Sequence, residues 1–363
     1  LPGARYGLIS AIFVVFILVF TDFGVPKVIG GNFNVLATDI YKEVVGQQNF
    51  EMGAVVCMVL LIPAVVAFGI DRFVTRKQVA LLSARAVPYE PKPSRWLDRA
   101  MLIYCLIITA LILAVIGMAQ FAALVKLWPY NLELTLEHFY FEFEGFGWSN
   151  FYNSLILAGC TAVIGTSLIF TGAYIVEKPR GSSLGRQAIQ FLALLPLAVP
   201  GLVLGLSYIF FFNHPANPLG FLYGTMIILV MNTVTHFYTV SHLTAVTALK
   251  QMDKEFESVS ASLKIPLYRS FFKVTVPVCM PAILDISIYL FLNAMTTVSA
   301  LIFLYAPTTK VASVAAIHMD ELGETAAAAA MAMLIVYACI TVRLLHLFVT
   351  RGLLRRVQAW RVR

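Results

Sequence analysis

Long runs of apolar residues are the feature that most constrains how this chain can fold. A helix needs about 17–25 mostly apolar residues to cross a bilayer. Eight segments reach or approach that length, at residues 6–21, 52–73, 101–126, 153–175, 189–212, 221–247, 282–305 and 326–348. Only 12% of the 363 residues are charged, against about 25% in soluble domains. The sequence therefore predicts an all-α polytopic membrane protein with about eight transmembrane helices.

The basic residues predict how these helices are oriented. Cytoplasmic segments of membrane proteins carry an excess of Lys and Arg. When 71–99 is placed inside, alternation of the spans leaves four of the 26 basic residues outside, namely Lys27, Lys42, Lys126 and Lys310. The C-terminus is then cytoplasmic, and the outer segments are acidic. The net charge of +7 therefore reflects the orientation of the chain in the membrane and does not indicate nucleic-acid binding.

Sequence motifs for catalysis or metal binding are missing. The chain has no GxxxxGK[ST] phosphate loop, no HExxH and no GxSxG. Its cysteines lie in or beside apolar runs without CxxC spacing, which indicates small core residues; they are Cys57, Cys105, Cys160, Cys279 and Cys339. His236 and His242 are six residues apart and make a poor metal pair. We expect neither an enzyme nor a metal site.

A polar stretch between the sixth and seventh apolar segments predicts a short amphipathic helix. Asp253 can cap its start, acidic residues occupy its first turn, and Pro266 disfavours helix at the residue before it. One face carries Phe256, Val259 and Leu263, and another carries Glu257, Ser260 and Lys264. An amphipathic helix held between two membrane spans is suited to docking in a groove of a partner protein.

This stretch resembles the cytoplasmic EAA loop of importer-type ABC permeases. Counting back from Val276-Pro277, the similar residues are Glu257, Leu263, Phe271, Lys273, Val274 and Thr275. Two positions depart from the pattern. The Glu-Ala-Ala triplet reads Ser258-Val259-Ser260, and Lys264 stands where the family carries glycine.

Further segments resemble particular groups within the importer permeases. Residues 285–300, Met319-Asp320-Glu321 and 326–334 look like 2-aminoethylphosphonate permeases with two fused halves. Residues 21–26 and Gly30-Gly31-Asn32 look similar both to that group and to fused ferric-iron permeases. The expected cargo is 2-aminoethylphosphonate or another phosphonate. Ferric iron, thiamine and polyamines are the alternatives within the family, and a secondary transporter is an alternative outside it.

The resemblance implies the ABC importer type I permease fold in the bacterial inner membrane. It implies a non-enzymatic pore that binds no cofactor itself, because ATP and Mg²⁺ belong to a dimer of separate ATPase subunits. A periplasmic binding protein would deliver the substrate. The residues that would couple to the ATPases are Phe256, Glu257, Val259, Ser260, Leu263 and Lys264, with the apolar three as the buried part of the contact.

Two anchor sequences repeat at an offset of 275 residues. Leu1-Pro2 corresponds to Val276-Pro277, and Phe73-Val74-Thr75-Arg76 corresponds to residues 348–351. We interpret 1–75 as the C-terminal part, with two spans, of a first permease repeat. Residues 76–99 form a cytoplasmic linker, and 100–363 form a complete second repeat of six spans with a coupling loop at 250–277. The first repeat is then expected to lack its N-terminal part.

Polar residues inside the spans are candidates for lining a substrate path, since polar groups in lipid normally face the bundle interior. They are Asn293, Thr296, Thr297 and Ser299 in the seventh segment and Asn232 in the sixth. Interhelical hydrogen bonding is the alternative role.

Two other features of the spans stay open at this point. The fifth segment contains Pro196, Pro200, Gly201 and Gly205, which indicate either a packing kink or a broken helix at a binding site. Asp285 lies near the inner end of its span, and we expect it to meet an interfacial lysine or arginine rather than to form part of a proton pathway.

Overall fold

The computed structural model describes residues 5–75, 94–141, 147–178, 183–252 and 255–357. In chain order its α-helices are α1 (Arg5–Phe20), α2 (Gly24–Ile29), α3 (Leu36–Tyr41), α4 (Phe50–Thr75), α5 (Arg95–Leu124), α6 (Trp148–Cys160), α7 (Thr166–Glu177), α8 (Ser183–Leu194), α9 (Gly201–Phe212), α10 (Met226–His236), α11 (Tyr238–Gln251), α12 (Glu255–Ser262), α13 (Leu267–Ser270), α14 (Val276–Val278), α15 (Met280–Thr296), α16 (Ala312–Glu321) and α17 (Thr325–Val357). Two short strands, β1 (Val125–Leu127) and β2 (Asn131–Leu134), pair antiparallel. Leu1-Pro2, Asp253 and most of the predicted linker lie outside the described residues.

Four helical runs of the described chain are long and apolar enough to cross a bilayer: Phe50–Asp71, Arg95–Leu124, Trp148–Glu177 and Thr325–Gly352. Three more pairs qualify if each counts as one bent span, which makes up to seven. They are Leu184–Leu197 with Gly201–Phe212, Met226–His236 with Tyr238–Gln251, and Leu267–Val278 with Met280–Thr296. The first predicted span forms α1, whose 16 residues are short for a bilayer. The predicted all-α polytopic architecture is confirmed.

The elements of residues 5–75 recur 275 residues later in the chain. Helix α1 corresponds to α15, and α3 with the π-helical turn Lys42–Gly46 corresponds to α16. Helix α4 corresponds to the first 26 residues of α17. In both copies the first helix packs against the last one. The assignment of 1–75 to a first permease repeat stays a prediction.

The main core joins these two parts of the chain. Ile40 and Leu60 from the first copy are fully buried in one cluster with Leu229 and Leu301, and Leu206 joins them. Helix α5 is instead peripheral. It packs along α17, and none of its most apolar 18-residue window is buried. The large apolar side chains exposed on it are mostly Leu, Ile and Met, which is the composition expected of a lipid-facing helix.

The seventh predicted span ends earlier than hydropathy indicates. We expected helix over 282–305, but α15 ends at Thr296 and Thr297 is extended. The Ser313 hydroxyl of α16 donates to the Thr297 carbonyl at 2.7 Å. A neighbouring helix therefore satisfies a carbonyl that would otherwise need the next turn of α15.

The fifth predicted span is also broken, and its break meets the one after α15. Helices α8 and α9 are bent by 111° about Pro200. Gly201 and Gly205 bring α9 against the Ser299 side chain and the Ala300 backbone, and a Cβ built on Gly205 would lie 2.9 Å from the Ala300 oxygen. The fully buried Asn232 of α10 donates its side-chain amide to the same oxygen at 2.5 Å. Two interrupted helices and one buried amide thus share a single contact.

We predict that Gly205→Ala destabilises the protein by about 1–3 kcal/mol, because its methyl group would overlap a backbone carbonyl that cannot rotate away. Thermal unfolding of the purified protein in detergent measures this. Gly117→Ala is the matched control, since nothing lies within 4 Å of a Cβ at that helical position. The control should be neutral or stabilising by up to about 1 kcal/mol. Equal melting temperatures for the two variants would contradict the close contact.

Candidate functional site

The predicted amphipathic helix is present as α12, which spans eight residues between the end of α11 and α13. Phe256, Val259 and Leu263 are 41%, 55% and 66% exposed. We call these three residues the docking face. Large apolar side chains this exposed on a short helix are not core residues of the described chain. The predicted cap Asp253 and the side chain of Glu257 lie outside what the structure describes.

Helix α12 ends close to a residue with a left-handed backbone conformation. Lys264 has φ +51°, the left-handed region that glycine occupies without steric cost. The Ile265 amide donates to the Ser260 carbonyl at 2.9 Å, which is the hydrogen bond of a Schellman cap with Lys264 at its left-handed position. Pro266 follows and stops the helix. Lys264 therefore has the backbone conformation that glycine favours, although it carries a side chain.

Aromatic contacts tie the segment after α12 to the bundle. Phe271 is buried and its ring centroid lies 4.7 Å from that of Tyr174 and 5.9 Å from that of Phe170, both on α7. On the other side, the Cys279 thiol lies 3.4 Å from the Met252 sulfur, just after α11. The chain on either side of the exposed α12 is thus fixed to the bundle at the end where α7 and α11 finish and α15 begins.

The five predicted path residues do not share one environment. Asn293 donates to the Tyr289 carbonyl at 2.8 Å and Thr296 to the Leu292 carbonyl at 3.1 Å, both within α15. Thr296 is exposed, whereas Thr297 and Asn232 are buried and Ser299 is half-buried beside Gly201. The contact of Asn232 with Ala300 corresponds to the interhelical alternative. That these residues line a path stays a prediction.

At the opposite end of the bundle an ion pair joins the two copies. Lys27 Nζ lies 2.6 Å from Glu321 Oε1, and the Tyr41 hydroxyl donates to Glu321 Oε2 at 3.3 Å. The ammonium also lies 4.5 Å from the centroid of the Tyr41 ring. Burial and the adjacent carboxylate raise the pKa of Tyr41, so the phenol keeps its proton and stays a donor. Burial lowers the pKa of nearby His318, against the raising effect of Glu321.

Comparison with known proteins gives three informative relatives. No protein-family model matches the chain. It is 31% identical over 320 residues to the putative ferric transport system permease protein FbpB 1 of Haemophilus influenzae, covering 85% of this chain and 49% of the relative. It is 35% identical over 92 residues to the putative ferric transport system permease-like protein AfuB of Escherichia coli K12, covering 25% of this chain and 77% of that protein. The putrescine transport system permease protein PotI of the same strain is 26% identical over 133 residues, 36% of this chain and 47% of the relative.

Solved structures share the fold. A bacterial ABC transporter that imports the acidic polysaccharide alginate matches with a TM-score of 0.58 at 16% identity, covering 71% of this chain and 98% of the solved one. A second structure, of an alginate ABC transporter with a pentasaccharide-bound periplasmic protein, matches with a TM-score of 0.56 at 17% identity, covering 72% of this chain and 95% of the solved one. The chain belongs to the permease family of ABC importers. This permease spans about half the length of the ferric relative FbpB 1 that it matches.

Two features of the permease lay beyond sequence reasoning. The Lys27–Glu321 pair joins residues 294 positions apart, and hydropathy contains no signal for such a pairing. The partner of Asp285 was expected to be a lysine or arginine, whereas the structure places His346 Nε2 of α17 at 3.9 Å from Asp285 Oδ1. The spacing of residues along a helix predicts which face of that helix a residue occupies. It does not predict which other helix packs against that face.

We predict that Lys264→Gly slows amide hydrogen exchange of α12, because glycine removes the cost of a left-handed side-chain-bearing residue, about 1 kcal/mol. The expected protection gain at the amides of residues 259–265 is about two- to five-fold. Lys264→Ala is the control, since it deletes the charge and keeps the Cβ. If alanine protects as well as glycine, the backbone explanation is wrong.

We also predict that Lys27→Glu lowers the free energy of unfolding by about 1–2 kcal/mol, because it places two carboxylates together in a partly buried site. The double variant Lys27→Glu/Glu321→Lys should recover at least half of the loss, as measured by thermal unfolding. Lys126→Glu, at an exposed position, is the control and should change little. A double variant no more stable than the single one would argue against a direct ion pair.

Proposed function

We propose that this chain is the membrane-embedded permease part of an ATP-driven importer, which passes its cargo towards the cytoplasm by alternating access. Family membership supports the permease role. The exposed docking face supports coupling to separate ATPase subunits. ATP and Mg²⁺ would bind on those subunits, and no catalytic residue is assigned to this chain.

The docking face is the single observation that carries the coupling proposal. Phe256, Val259 and Leu263 project from a short helix that is fastened to the bundle through Phe271. In the proposed contact the three apolar side chains fill a groove of the ATPase, while Glu257, Ser260 and Lys264 form its polar rim. Closure of the ATPase dimer would then move α12 and reorient the helices attached to it.

The distribution of basic residues supports the orientation. Lys178 and Lys250, at the ends of α7 and α11, and Lys264 and Lys273, beyond them, lie at the end of the bundle that carries α12, which we place in the cytoplasm of a bacterial inner-membrane protein. The C-terminus would lie on the same side. The opposite end, with the Lys27–Glu321 pair, would face a periplasmic binding protein. A solved importer with a permease of this fold contains such a protein.

We propose ferric iron or another cation as the cargo. The relatives FbpB 1 and AfuB are named for ferric transport, and PotI is named for putrescine transport. Both cargoes carry positive charge. The phosphonate expected from the resemblance of 285–300 and 319–321 finds no support among these relatives. Titration of the partner binding protein with ferric iron and with 2-aminoethylphosphonate distinguishes the two, and tight binding of the phosphonate alone would reject the cationic cargo.

We predict that Phe256→Ala reduces binding-protein-stimulated ATPase activity and uptake at least ten-fold in the reconstituted complex, because a central apolar anchor of an interface typically contributes 2 kcal/mol or more, or about thirty-fold in affinity. Membrane insertion should be unchanged. Leu106→Ala is the matched control, since Leu106 is 58% exposed on the peripheral α5. Normal uptake by the Phe256 variant would reject coupling through α12, and copurification without any ATPase would favour a secondary transporter.

A further inference from the structure

The two-stranded hairpin that follows α5 carries a patch of exposed apolar side chains. Strand β1 begins at Val125, directly after the last residue of α5, and pairs with β2. Six large apolar or aromatic side chains between positions 127 and 136 are each between 54% and 86% exposed; they are Leu127, Trp128, Tyr130, Leu132, Leu134 and Leu136. Exposed apolar surface concentrated in this way marks a contact with a partner or with lipid.

The base of the hairpin is fixed to the protein. Val125 is buried, and β1 packs against α17. The Thr135 amide donates to the Leu124 carbonyl at 2.7 Å, and the His138 ring nitrogen Nε2 donates to the Val125 carbonyl at 3.0 Å. The exposed patch therefore projects from a defined position at the end of α5.

The helices on either side of the hairpin place it at a membrane surface. None of the most apolar 18-residue window of α5 is buried. Its apolar residues 101–124 are about 36 Å long at about 1.5 Å per residue, enough to cross the ~30 Å hydrocarbon core. The chain returns through a second candidate span that begins at Trp148. The hairpin thus lies between the ends of two spans, where hydrocarbon gives way to lipid headgroups.

An aromatic contact joins the patch to the lipid-facing surface of α5. The Trp128 ring packs edge-on against the ring of Phe121, near the end of α5, with 5.8 Å between the centroids. Trp148, at the start of the next span, is also exposed. Trp and Tyr are enriched where a membrane meets water, because their rings are apolar with one polar group. The continuity of this surface with α5 favours lipid over a soluble protein as its partner.

The backbone of the hairpin suits the headgroup layer better than water or hydrocarbon. An isolated two-stranded hairpin is marginally stable in water, and the unpaired edges of its strands cannot be satisfied by hydrocarbon. Lys126 and Glu133 are exposed on it, and Asn131 Oδ1 accepts the Glu133 amide at 3.0 Å. The headgroup layer offers water to the edges and charges, and apolar contact to the leucines.

We propose that the hairpin after α5 lies in the headgroup layer of the phospholipid bilayer, with Trp128, Leu132 and Leu134 in contact with the upper part of the acyl chains. This inference does not depend on the transport function or on which way the chain crosses the membrane. Ala123, beside the hairpin, shares a buried cluster with Met295 and with residues of α16 and α17. The hairpin therefore fixes this end of the second copy at the membrane surface.

The test measures the depth of Trp128 in a protein whose Trp96, Trp148 and Trp360 are replaced by Phe. It is reconstituted in phosphatidylethanolamine–phosphatidylglycerol liposomes, and its fluorescence is quenched with iodide or with lipids brominated near the headgroup or near the chain end. We expect the shallow bromine to quench about two-fold more than the deep one, and iodide to quench about three-fold less than it quenches a free tryptophan analogue, as for an interfacial side chain.

Leu113→Trp, in a protein that also carries Trp128→Phe, is the matched control. Leu113 is exposed near the middle of α5, so its replacement should be quenched more by the deep bromine. Trp128 as open to iodide as the free analogue, and unquenched by either lipid, would place the hairpin in water and overturn the proposal. A preference of Trp128 for the deep bromine would overturn its place in the headgroup layer.

The contribution of the leucines is tested in the same liposomes. Leu132→Asn/Leu134→Asn should lower the shallow quenching of Trp128 about two-fold and raise its quenching by iodide, because it removes apolar contact with lipid. Glu133→Gln, between the two positions, should change neither. Unchanged quenching in the double variant would overturn the lipid contact of these leucines. No step needs cargo or ATPase, so failure of the proposed function is distinguishable.

Discussion

The contact between two interrupted helices is the constraint on which the rest of this bundle depends. Backbone groups at membrane depth need partners within the protein, because lipid offers none. At the break after α15, three neighbouring helices contact the exposed backbone. Asn232 donates to the Ala300 carbonyl, Ser313 donates to the Thr297 carbonyl, and α9 approaches closely through Gly205. Each partner comes from a different helix. The break therefore sets the relative positions of α9, α10, α15 and α16 at once, and the first copy packs against the same region through the core that contains Leu301.

Prediction from the sequence succeeded where the structure depends only on residues that are close together in the chain. Bilayer thickness sets span length, so hydropathy located the long helices α4, α5 and α17. Capping and proline rules placed the short α12 between two spans. The resemblance to the EAA loop identified Lys264 as a position where the family carries glycine. Lys264 has the left-handed backbone conformation that glycine favours.

Reasoning of this kind failed where partners distant in sequence decide the outcome. The end of α15 at Thr296 depends on Ser313 and on two glycines of α9. The ion pair of Lys27 with Glu321 depends on how the two copies pack. Path-lining residues were chosen by polarity alone, and polarity does not separate Asn232, which is fully buried against a carbonyl, from Thr296, which is exposed on an open face.

Helix α12 is connected to α11 and α15, the two helices that line a shared surface groove. Helix α12 follows α11 and precedes α15 along the chain, and the groove lies between α11 and α15. Near the base of the groove, Met252 and Cys279 hold the two helices together, while Phe271 fixes the intervening segment to α7. In the proposed mechanism a displacement of α12 therefore acts on both walls of the groove at their inner ends. The 57° bend between α10 and α11 and the 77° bend before α15 lie along the chain between α12 and the two partners of the contact at the helix break, Asn232 and Ala300.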